Sequence, residues 1–153
     1  MTLEDLNVNR LLECCGSPAW ARQTMARRPF QDLAALETAA EEIWWSLPEP
    51  DWLEAFSAHP KIGDASTARW SADEQRGMKH ADCDLAAEMR HLNREYEKKF
   101  GWIFIVCATG KSASEMHRQL QERIANNPAA EIRIAAAEQA KITRLRLHKL
   151  VVE

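Results

Sequence analysis

The chain has 153 residues, 46% of them apolar, 28% charged and only five of them glycine, which suits one compact domain spanning 1–153 that buries about 70% of its unfolded surface. Twenty basic against twenty-three acidic residues leave a formal net charge of −3, far from the basic balance of a nucleic-acid binder, so nucleic acid is excluded as a first reading. No run approaches the roughly 20 apolar residues of a membrane helix; the opening Met-Thr-Leu-Glu-Asp-Leu lacks a secretory signal and the Val-Val-Glu ending a peroxisomal address, so a cytosolic protein with no membrane partner is expected.

Helical signals recur along the whole chain, and β-branched and aromatic runs are scarce, which predicts an all-α fold. Thr2-Leu3-Glu4-Asp5 opens like a capping box. Ser17 as N-cap with Pro18 at the first helical position starts a helix that should break before Pro29. Asp32 to Leu47 carries Leu33, Leu36, Ala40, Ile43 and Trp44 at helical spacing, and Pro48 and Pro50 end it. Asp51 is expected to cap a short helix through Phe56, after which His59 to Trp70 reads as a loop. Ser71-Ala72-Asp73-Glu74 is a second capping box, and a charged helix should run from about Asp84 to Phe100 until Gly101 stops it. Ile103-Phe104-Ile105-Val106 could be a strand, but a lone strand has no partner, so a buried extended segment or a helix start is favoured. Ser112 and Pro128 begin the last two helices. On a wheel of about 100° per residue the terminal helix shows one stripe of Ile134, Ile142 and Leu145 and another of Ala136, Ala137, Ala140 and Leu147, with Arg133 on that small-residue side and expected to face protein.

Candidate chemistry is sparse. His59, between fixed and freed backbone at Pro60 and Gly63, can exchange protons near neutral pH, although a histidine bonding a loop carbonyl fits the same position. Ser71 and Glu74 can be explained by capping alone; Glu74 and Gln75 also sit in a first helical turn, where free N–H groups receive an anion or a carbonyl. The Arg133 fork would suit a carboxylate or a urea-like group. His80, His91, His117 and His148 lack metal-cluster spacing and read as surface residues, so no metal is implied. Ala108-Thr109-Gly110-Lys111-Ser112 lacks the first glycine of a phosphate loop, Ile105 standing in its place. Cys14, Cys15, Cys83 and Cys107 show no C-x-x-C spacing and read as reduced thiols, with Cys14 and Cys15 taken as exposed and without a role.

Taken together, His59-Pro60-Lys61-Ile62-Gly63-Asp64, Ser71-x-x-Glu74-Gln75 and Leu92-Asn93-x-x-Tyr96-x-x-x-Phe100-Gly101-x-x-Phe104-Ile105 resemble the 2-oxo-4-hydroxy-4-carboxy-5-ureidoimidazoline (OHCU) decarboxylases of urate catabolism. Ser17-x-x-Trp20, Arg28-Pro29-Phe30 and the stretch from Glu131 to Leu147 extend the resemblance over nearly the whole chain. It implies a helical, cofactor-free homodimer converting OHCU to (S)-allantoin and carbon dioxide. It also implies His59 and Glu74 as catalytic residues, Pro60, Ser71, Gln75 and Arg133 as substrate contacts, and backbone contacts from Phe104 and Ile105. The interval between His59 and Ser71 looks shorter than in many members. Two other readings use the same residues: another cofactor-free isomerase or hydrolase of a small ureide, and a helical interaction module without catalysis.

Overall fold

The computed structural model describes residues 1–59 and 83–152, which are all-α: helices, turns and irregular segments, with no strand among them. The backbone packs as two compact units, one of residues 1–58 and 139–153 and the other of residues 59–138.

In the first unit a single 3-10 turn, Leu3–Asp5, follows Thr2, whose N–H and hydroxyl both donate to the Asp5 carboxylate, at 3.2 and 2.8 Å. Helix α1 (Val8–Cys14) is capped by Asn7, which accepts the Arg10 N–H at 2.9 Å. Helix α2 (Pro18–Ala26) has the expected Ser17 cap, accepting the Trp20 N–H at 3.1 Å, with proline at the first position where no helical N–H partner is lost. Helix α3 (Leu33–Ser46) is capped by Asp32 and buries Leu36, Ala40, Ile43 and Trp44 of the face its spacing predicts, with Ala39 beside them and Leu33 only half-buried. Helix α4 (Glu49–Ser57) departs from expectation by starting before Asp51. Pro50 lies within its first turn, where the missing N–H is an orphan in any helix, so Asp51 is a first-turn residue and not the cap.

Aromatic residues fill this core. Trp20 donates its indole N–H to the Ala40 carbonyl at 3.0 Å and Trp52 donates to Trp44 O at 2.9 Å, so large apolar surfaces are buried without stranding a donor. Cys14 and Cys15 are buried, which corrects the expectation that they are exposed: they close α1 against the core, and burial pushes both thiols up to about 12.

In the second unit helix α5 (Cys83–Phe100) ends where Gly101 adopts φ +89°, a conformation that favours glycine. Residues 103–108 form neither helix nor strand, and Phe104 through Ala108 are buried, so the extended-segment reading holds and the helix start does not. A turn closed by the Lys111 N–H on Ala108 O, with Gly110 at φ +79°, leads to Ser112, which caps helix α6 (Ala113–Arg123); loop and cap account for the phosphate-loop lookalike. Met89, Tyr96, Phe100, Phe104, Val106, Met116 and Leu120 form the core between these elements.

Helix α7 (Pro128–Val152) begins at proline as predicted, behind an Asn127 cap that accepts the Ala130 N–H at 2.8 Å. Its residues through Glu138 belong to the second unit and those from Gln139 to the first. The two predicted stripes are corrected. Glu131, Ala135, Glu138, Gln139, Ile142, Thr143, Arg146, Leu147 and Leu150 lie on one buried arc, whereas Ile134 and Leu145 are exposed, and the second stripe grades from buried Ala136 and Leu147 through half-buried Ala137 and Ala140 to exposed Arg133. The polar members of the buried arc hid it from an apolar count.

Candidate functional site

Of the candidate residues, His59, Phe104, Ile105 and Arg133 are described and all belong to the second unit. Pro60, Ser71, Glu74 and Gln75 lie outside the described residues, as do the second capping box and most of the predicted loop. His59 is half-buried and directly follows Ala58, the residue that closes α4 with its N–H on the carbonyls of Ala55 and Phe56. Arg133 is exposed, a correction to the expectation that it faces protein. At about 100° per residue it stands roughly 200° round α7 from buried Glu131, so the helix turns it outward, where its fork remains accessible.

Phe104 and Ile105 occupy the irregular buried segment, whose main-chain groups have no ladder to satisfy them. Side chains do so instead. The Arg123 guanidinium donates from Nη1 to the Ile105 carbonyl at 2.6 Å, the Glu138 carboxylate accepts the Cys107 N–H at 3.1 Å, and Lys111 Nζ donates to Cys107 O at 2.5 Å.

Arg123 is fixed in turn. Its Nε and Nη2 donate to Glu131 Oε2 at 2.9 and 2.7 Å, and the same oxygen accepts the Tyr96 hydroxyl, while Asn126 Nδ2 donates to Glu131 Oε1 at 3.1 Å. Trp102 donates its indole N–H to the Tyr96 oxygen at 3.1 Å. The guanidinium also lies 4.5 Å from the centre of the Phe104 ring, within cation–π range. Glu131 is fully buried and Arg123 nearly so; an isolated ion there would be costly, and only the mutual pairing with the surrounding donors makes the arrangement tenable. Burial, followed by the hydrogen bond to Glu131, holds the Tyr96 hydroxyl above its ordinary pKa, so it stays a proton donor to the carboxylate at neutral pH.

Sequence reasoning missed Arg123, Asn126 and Glu138 altogether and used Tyr96 and Glu131 only as parts of a pattern. The available signal was Tyr96, the sole tyrosine of the chain, in a run otherwise aromatic through Phe100, Trp102 and Phe104. Among the other histidines, His91 and His148 are exposed as expected, whereas His117 is half-buried with Nε2 3.0 Å from Glu88 Oε1. A surface cleft in the first unit, lined by Leu3, Glu4, Met25, Arg28, Pro29 and Phe30 among others, contains none of the candidate residues.

The sequence profile of the OHCU decarboxylase family matches residues 3–148. The chain is 42% identical over 146 residues to an Arabidopsis thaliana uric acid degradation bifunctional protein, covering 90% of this chain and 45% of that longer one. To the 2-oxo-4-hydroxy-4-carboxy-5-ureidoimidazoline decarboxylase of Amia calva it is 32% identical over 141 residues, covering 88% of this chain and 81% of the relative. A crystal structure of OHCU decarboxylase in the presence of (S)-allantoin superposes with a TM-score of 0.88 at 37% identity, covering 97% of this chain and 100% of the other. With the all-helical architecture and the ordered motifs, these matches establish that the chain belongs to the OHCU decarboxylase family, carboxy-lyases of urate catabolism.

Proposed function

We propose that this chain, acting as one domain, decarboxylates OHCU to (S)-allantoin without a cofactor, with His59 and Glu74 moving protons and Pro60, Ser71, Gln75, Arg133 and the backbone of Phe104 and Ile105 holding the substrate. The observation that carries the reading is the clamped Phe104–Ile105 segment: a buried stretch without secondary structure whose Ile105 carbonyl is held by Arg123 and whose Cys107 N–H is held by Glu138, which supports its peptide groups as the ones that meet the substrate. Exposed Arg133, with its bidentate fork, suits the carboxylate or the ureido carbonyl.

The substrate supplies its own electron sink. Its carboxylate and hydroxyl share one ring carbon next to a carbon–nitrogen double bond; as the C–C bond to the carboxylate breaks, its electron pair forms a C–C double bond in the ring and the adjacent nitrogen takes up a proton. His59 accepts the hydroxyl proton, the ring carbon that bore the carboxylate becomes a carbonyl, and the ureido-bearing carbon is protonated from one face by His59 or through Glu74. Orientation, exclusion of water and proton transfer are what such a reaction asks of a protein. The absence of a metal-ligand spacing in the sequence fits cofactor independence, and exhaustive dialysis against EDTA should leave turnover intact.

A cytoplasmic homodimer completes the proposal. Ile134, Leu145 and Val152 lie along one exposed face of α7, apolar surface of the kind a second copy covers, and no helix among the described residues is long and apolar enough to cross a membrane. The test is circular dichroism during coupled urate degradation. The chain should accelerate appearance of the (S)-allantoin signal over spontaneous decay of OHCU, and Arg133→Lys, which keeps the charge but loses the fork, should slow it substantially. Decay at the spontaneous rate in the presence of folded chain contradicts the proposal and favours another ureide reaction or an interaction module.

A further inference from the structure

We infer that Arg123 is a positioning residue for substrate binding: a single buried side chain, oriented by Glu131 and Tyr96, grips both Phe104 and Ile105 and thereby sets the peptide groups that meet the substrate. The inference rests on the proposed role of that dipeptide and adds to it the device that holds it in place.

The grip has two contacts of different kinds. Nη1 bonds the Ile105 carbonyl at 2.6 Å, which fixes the peptide plane between Ile105 and Val106, and the flat guanidinium faces the Phe104 ring at 4.5 Å, which fixes the residue before it. The remaining nitrogens, Nε and Nη2, both reach Glu131 Oε2, so the fork cannot rotate without breaking bonds to a fully buried carboxylate. Tyr96 and Asn126 occupy further acceptor positions of that carboxylate, and Trp102 holds the Tyr96 oxygen. Orientation thus passes from α5 and α7 through Arg123 at the end of α6 to a segment with no secondary structure of its own. A lysine could supply the charge but not bonds in three directions plus a planar face. A residue needed only for folding would leave the segment's geometry in the surviving folded molecules unchanged. A positioning residue, by contrast, changes affinity in molecules that remain folded.

Two variants, Arg123→Lys and Tyr96→Phe, test this; the second removes one hydroxyl from a carboxylate that keeps its other donors, so it stays foldable if the first does not. Amide hydrogen exchange is measured by mass spectrometry across residues 103–108, and KM and kcat for OHCU are determined per folded molecule. Exchange across 103–108 should quicken in the variants while peptides of α2 and α3 are unchanged, and KM should rise, with kcat/KM falling about 10²-fold in Arg123→Lys, the scale of a misplacement near 1 Å, and less in Tyr96→Phe. Loss of folded protein alone lowers apparent kcat and leaves KM where it was. Wild-type exchange in folded variants overturns the clamp; faster exchange with unchanged KM overturns its role in binding. A wild-type chain inactive on OHCU overturns the decarboxylase reading instead, and the exchange result still decides whether Arg123 orders the segment.

Discussion

The first unit and the second solve the problem of an interior by different means. Trp20, Leu36, Trp44, Trp52 and Phe56 are buried in the first, where α3 buries an all-apolar face and the indole donors of Trp20 and Trp52 each reach a main-chain carbonyl. The second also has an aromatic core, but places inside it a paired Arg123 and Glu131 that tie down a stretch of chain without secondary structure. Apolar fit is non-directional and tolerates exchange of one residue for another of similar volume. A charged pair surrounded by donors specifies direction, and direction is what the segment requires in its proposed role of offering peptide groups to a small molecule.

Breaking the pair should have the largest effect on stability. Arg123→Ala leaves Glu131 buried without its cation and should cost about 3–5 kcal/mol in urea unfolding, with the second unit's peptides losing protection from hydrogen exchange. A stability loss below about 1 kcal/mol, the scale of a solvent-exposed pair, would show that water reaches the carboxylate and that the contrast between the units is overstated.

Leu36→Ala makes the complementary test in the first unit. Deleting a fully buried leucine should cost about 2–5 kcal/mol, yet turnover per folded molecule and KM for OHCU should match wild type, because α3 carries none of the proposed site. A raised KM would mean that the site extends into the first unit.

The effect that is smallest near neutral pH, and grows only above about pH 9, is on stability through buried protons, and it concerns both units. Burial raises Cys14 and Cys15 from 9.0 to about 12, and burial together with Glu131 raises Tyr96 above 10.0. The unfolded chain therefore releases these protons first: the stability they contribute is present below about pH 9 and declines as pH rises from there toward 12. The urea midpoint should fall over that range in wild type and fall less steeply in Cys14→Ala/Cys15→Ala. Equal slopes would remove the thiols from the account.

Ser17-Pro18, Asp32, Gly101, Ser112 and Pro128 act locally, through one cap or one allowed φ, so their helix boundaries can be read from a few adjacent residues. The α3 face was legible because its buried residues are all apolar. On α7 the buried arc carries Glu131, Glu138, Gln139, Thr143 and Arg146, so a wheel that counts hydrophobes groups exposed Ile134 and Leu145 with buried Ile142 and puts Arg133 on a protein-facing side. Arg123 and Glu131 are eight positions apart, and Tyr96 is thirty-five from Glu131. No local pattern announces bonds over such separations. The ordered motifs exposed the candidate site because they carried a resemblance, whereas the residues that hold Phe104 and Ile105 became visible only through their geometry.

The most direct test of the central claim, that His59 moves the protons of OHCU decarboxylation, is the rate of (S)-allantoin formation by His59→Asn followed by circular dichroism. Asparagine keeps similar size and hydrogen bonding but cannot exchange a proton near pH 7, so turnover should fall by about 10²–10⁴-fold with helical content and melting temperature nearly unchanged. Wild-type turnover in the folded variant, or a lowered melting temperature with turnover per folded molecule intact, would make His59 a structural residue and contradict the account.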